Sequence, residues 1–84
     1  MKLHEFYTDK SKWLQNSSVI RNNGVVAAAC IINAIRFCYP IEIDAAIVRY
    51  KISEYVGNID LVSWNDSPDT TFEHLKSVCI ILDV

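Results

Sequence analysis

The side chains that could do chemistry are few and scattered. His4 and His74 are the only histidines, and neither sits at a metal-ligand interval from a cysteine; no C-x-x-C or H-x-x-x-H occurs. Neither a metal centre nor a cofactor is expected. Nucleophilic catalysis needs a Ser, Thr or Cys beside an oriented base, and only His74 near Thr70 or Cys79 approaches that arrangement. Five positions separate His74 from Cys79, which puts them on different faces of a helix. Asp66 and Asp69 could share a proton or hold a cation, but Asp and Asn ahead of a helix are ordinarily caps and turn formers. The sequence predicts a protein that is not an enzyme, with a small hydrolase using His74 and Asp66 as the least favoured alternative.

Recognition is the other chemistry open to these residues. Arg36 is the only charge between Arg21 and Glu42, and Asn33 lies three positions earlier on the same helical face. On a buried helix that guanidinium needs a partner, either internal (Glu54, Asp60 or Asp66) or an anion from outside, because an unpaired buried charge is costly. Arg49 and Tyr50, followed by Lys51, form a second cationic and aromatic spot, alternatively read as a solvated helix face. Trp64-Asn65-Asp66 permits two readings. Trp64 packs beneath the last helix while Asn65 and Asp66 bond loop amides, or the three present a stacking ring and acceptors to a ligand.

The elements that must position these residues follow from periodicity and turn chemistry. Leu3, Phe6, Tyr7, Trp13 and Leu14 predict one or two amphipathic helical turns. Asn16-Ser17-Ser18 and Asn22-Asn23-Gly24 are turn clusters around Val19-Ile20, an extended piece or hairpin arm. Val25 to Cys38 is apolar on nearly every side and reads as a central helix buried all round, ended by Tyr39-Pro40. Pro40 can open the next helix, in which Ala45, Val48, Ile52 and Tyr55 repeat at helical spacing, Ile47 and Val56 widen the stripe, and Gly57 is the C-cap. Ile59 to Trp64 reads as a strand or extended connector whose partner would be Val19-Ile20. Residues 65–69 form a turn, and Thr70 or Thr71 caps a last helix lined by Phe72, Leu75, Val78, Cys79 and Leu82. The fold class is therefore mainly α: a compact bundle of about four short helices, with a minor two-stranded β element near 19–20 and 59–64.

Around Trp64 to Thr71 the chain resembles a family of small uncharacterised bacterial and phage proteins with a W-N-D-x-P-x-x-T-x-x-x-[V/L] stretch, Leu75 taking its last place. Trp13-Leu14-Gln15 is similar to that family's W-x-Q segment, and Cys30 to Ile35 to its C-x-x-G-A-[I/L] helix, with Asn33 in place of Gly. The resemblance covers most of the chain; it implies a helical fold and supplies no activity.

The 84 residues fit one small domain spanning 1–84, and 51% hydrophobic against 21% charged residues is enough for a core. A net charge of −2 without a basic block excludes duplex nucleic acid as a natural partner. The first five residues lack a signal-peptide core, and the longest apolar run, Val25 to Ile35, is broken by Asn33 well short of the roughly 20 residues of a membrane span. No membrane contact is expected. Cys30, Cys38 and Cys79 read as reduced core thiols of a cytoplasmic protein. Surplus apolar surface, including Ile80-Ile81-Leu82 and Val84, predicts a homo-oligomer, first of all a dimer. The functional expectation is a non-enzymatic binding protein, of the phage-inhibitor or sequestering kind, that captures a nucleotide-like anion or a host protein. Its site would be drawn from Arg36, Asn33, Arg49, Tyr50, Trp64 and Asp66, and the alternative is an assembly subunit with no small ligand.

Overall fold

A computed structural model describes residues Met1–Val84, which form five helices and one antiparallel hairpin. Helix α1 (Leu3–Phe6) and a 3₁₀ turn at Lys10–Lys12 lead into strands β1 (Val19–Asn22) and β2 (Val25–Ala29). Helices α2 (Ile31–Cys38), α3 (Glu42–Val56), α4 (Leu61–Asp66) and α5 (Phe72–Leu82) follow. The architecture is mainly helical with a small sheet. No helix is long and apolar enough to cross a membrane.

Two assignments made from periodicity are corrected. The central helix does not begin at Val25: residues Val25–Ala29 are a strand, and the helix is only Ile31–Cys38. Asn23 and Gly24 both take positive φ, 53° and 81°, the geometry of the primed two-residue turn whose twist matches paired strands. That turn folds Val25–Ala29 back on β1 in the register Val19↔Ala29, Ile20↔Ala28, Arg21↔Val26 and Asn22↔Val25. Ala27 is left without a partner, so the strand bulges there. The second correction concerns Ile59 to Trp64, which is no strand. Asp60 accepts from the Ser63 backbone amide (3.2 Å) and hydroxyl (2.8 Å), nucleating α4, and β1 has already paired with β2.

Other local signals act as read. Tyr39 leaves helical geometry ahead of Pro40. Helix α3 starts two residues after Pro40, carries Glu42 and Asp44 in its first turn, and ends on Gly57 at φ 72°, where the Gly57 and Asn58 amides both return to the Ser53 carbonyl. Of the two threonines, Thr71 is the cap of α5, its hydroxyl accepting from the His74 amide at 3.1 Å.

The core is a single cluster of 19 side chains, with Leu3, Tyr7, Ile31, Ile35, Ile52, Leu75 and Val78 at its centre. The buried Tyr7 hydroxyl donates to the Ala29 carbonyl at 2.9 Å, and burial raises its pKa. The chain ends are joined as well. His4 donates its amide to the Val84 carbonyl at 3.0 Å, Lys2 pairs with Asp83 at 2.7 Å, and Val84 is buried rather than part of an exposed aliphatic end.

Candidate functional site

Asn65, in the last turn of α4, is the most connected polar side chain in the protein. Its Oδ1 accepts from Trp13 Nε1 at 2.7 Å and from the Ile31 amide at 2.9 Å. Its Nδ2 donates to the Leu14 carbonyl at 2.9 Å and to Asp66 Oδ1 at 2.8 Å, and Asp66 Oδ1 also accepts the Asn16 amide at 2.8 Å. Gln15 Nε2 closes the arrangement by donating to the carbonyls of Asn65, Ser67 and Thr70. The W-x-Q and W-N-D pieces therefore meet in one network across some fifty residues of sequence. Every buried side-chain nitrogen and oxygen has a partner. Trp64 is buried and meets the His74 ring edge-on at 5.8 Å.

Two clefts adjoin α4 and share Ile32 and Val62 as a common wall. The smaller, about 410 Å³, lies over the network and contains Asn33, Cys30 and Asp66. Asn33 Nδ2 donates to Cys30 Sγ at 3.3 Å. The larger, about 780 Å³, lies between the C-terminal half of α3 and the α3–α4 connection and contains Arg49, Tyr50, Glu54 and Asp60. The six residues singled out in the sequence are thus split: Asn33 and Asp66 in one cleft, Arg49 and Tyr50 in the other, Trp64 in the core. Arg36 lines neither. It stands on the solvent face of α2 and forms no ion pair, because α2 is covered on one side only. Burial, the reason for expecting an anion at Arg36, does not apply.

The larger cleft is electrostatically unsuited to phosphate. Its one cation, Arg49, is already bonded to Glu42 at 2.9 Å, while Glu54 and Asp60 add two carboxylates. The Ser63 hydroxyl and amide hold Asp60 below the usual carboxylate range, so it stays ionised. The Glu54 carboxylate beside Tyr50 raises the tyrosine's pKa. No group of three or more His, Cys, Asp or Glu is placed to hold a metal ion.

Ile47 and Tyr55, read in the sequence as part of the buried stripe of α3, are exposed, as are Ile43, Tyr50, Ile59 and Val62. Ile80 and Ile81 are exposed as the surplus apolar end was expected to be. This does not come from loose folding. The accessible surface is 4986 Å², against about 5,100 Å² expected of a compact chain of this mass. The available signal was that α3 carries isoleucines on both of its sides. No family model, curated protein or solved structure matches the chain.

Proposed function

We propose that this protein is a non-enzymatic binding module that works by protein–protein contact, in the manner of a small inhibitor or sequestering protein, and acts as an oligomer. The observation that carries the reading is the contrast between its polar and apolar groups. Asn33, Arg49 and Asp66 are each bonded within the chain and Arg36 stands alone on the solvent face of α2, while Ile43, Ile47, Tyr50, Tyr55 and Ile81 are left exposed around α3. Exposed apolar patches of more than a few hundred Å² mark interaction sites. Of the two ligands considered from sequence, a nucleotide-like anion is disfavoured by the carboxylates of the larger cleft, and a host protein is retained. The reading includes the cytoplasm, since Cys38 and Cys79 are free thiols in the core.

Two measurements test it. Incubation with a nucleotide panel followed by chromatography is expected to return every nucleotide unaltered and unretained. A retained nucleotide would replace protein contact with anion capture, and an altered one would make the protein an enzyme. Photo-crosslinking in cells from Tyr50→benzoylphenylalanine is expected to yield protein adducts, and their absence would overturn the reading.

A further inference from the structure

We propose that the occupant of the exposed face of α3 is α3 of a second copy, packed antiparallel about a two-fold axis near Ile47; this rests on the protein-contact reading above. At about 100° per residue, Ala45, Val48 and Ile52 fall within an arc of about 60° that faces the core. Ile43, Ile47, Tyr50 and Glu54 fall within a similar arc directly opposite, and all four are exposed. A helix with two apolar arcs has buried only one of them.

Charge identifies the occupant. Asp44 and Lys51 lie on the same flank of the outer arc, both exposed, and neither takes part in an ion pair within the chain. When a helix meets its own copy about a two-fold axis, like flanks face each other and the sequence runs in opposite directions. A centre near Ile47 then sets Asp44 against the partner's Lys51 and Lys51 against the partner's Asp44. The same register brings Ile47 onto the partner's Ile47 and Ile43 close to the partner's Tyr50. Clefts of about 780 and 520 Å³ flank this arc of the helix.

The apolar area is modest. Ile43, Ile47 and Tyr50 of the outer arc are between 49% and 68% exposed. At roughly 100 Å² each they supply about 300 Å² of apolar surface per protomer, below the roughly 800 Å² per partner of a standard interface, which places the contact among the weak ones.

Sedimentation equilibrium of the intact chain is expected to give a dimer with Kd of about 1–100 μM. Lys51→Asp turns both of the Asp44–Lys51 cross-pairs into like-charge carboxylate pairs and should weaken the dimer about tenfold or more, while the charge-swapped double variant Asp44→Lys with Lys51→Asp should recover it to within about threefold. Circular dichroism checks that the variants fold. Should Lys51→Asp not fold, Ile47→Cys in a Cys30→Ser background provides the second measurement, with a covalent dimer expected on mild oxidation. A parent protein monomeric at roughly 300 μM, an unaffected Lys51→Asp dimer, a charge swap that does not recover, or an Ile47→Cys protein that stays monomeric would each overturn the proposal. Photo-crosslinks from position 50 that reach only other proteins would overturn the dimer and leave the binding module standing. No protein adduct at all would overturn both.

Discussion

Replacing Asn65 by Ala removes the acceptor of two buried donors, Trp13 Nε1 and the Ile31 amide, and the donor that serves the Leu14 carbonyl. A buried polar group left unpaired costs about 1–3 kcal/mol, and the side chains of Trp13 and Ile31 are both packed in the core. Two orphaned donors therefore predict a loss of about 3–5 kcal/mol, a large fraction of the roughly 5–15 kcal/mol that holds a small domain folded. Trp13→Phe removes one of the two donors and leaves Oδ1 with Ile31, so it should cost less, about 1–2 kcal/mol. In the double variant the Trp13 donor is no longer orphaned, and the combined loss should fall short of the sum of the singles by about 1–2 kcal/mol. Urea unfolding followed by tryptophan fluorescence and circular dichroism measures all three, with the m-value as a check that the unfolded state is unchanged. An Asn65→Ala protein that loses under about 1 kcal/mol at constant m, or strictly additive singles, would refute the view that this network holds α4 to the hairpin and to the chain preceding it.

Three further outcomes follow from the same structure. Gly57→Ala should cost about 1–2 kcal/mol in thermal or urea unfolding: the added Cβ meets nothing within 4 Å, so the penalty is that of the left-handed backbone alone. Thr71→Ala should cost about 1 kcal/mol and Thr71→Ser almost nothing, since the serine hydroxyl can still accept from the His74 amide. Asp83 is held below the usual carboxylate range by its hydrogen bond and charge pairing with Lys2, with His4 adding to both. Its contribution is therefore present above the unfolded carboxylate pKa and lost as pH falls through the lower folded value. Asp83→Asn should flatten the acid limb of a stability-against-pH profile and leave the limb above neutrality unchanged.

Much of the helical frame is legible in the residues themselves. The Tyr39-Pro40 break, Gly57 as the end of α3, a threonine cap on α5 and the apolar face of Leu75, Val78 and Cys79 all depend on neighbours within a turn or two, and local chemistry determines them. The absence of a ligand-spaced histidine and cysteine set is equally a property of the sequence. Residues Val25–Ala29 show where periodicity gives out: an apolar run satisfies a buried strand as well as a buried helix, and the positive-φ pair Asn23-Gly24 decides for the strand by delivering it to β1. Ile59 to Trp64 goes the other way, because a short strand needs a partner and the only candidate was already paired. Tertiary structure alone decided that Trp13 and Gln15 meet Asn65 and the turn after it, a contact across fifty residues that no local pattern encodes. It also decided which side of α3 is buried. With isoleucines on both arcs the pattern is ambiguous, and the packing of α3 against α2 and α5 decides it: a helix laid on two neighbours can turn only one arc inward, here Ala45, Val48 and Ile52, leaving Ile43, Ile47 and Tyr50 outside.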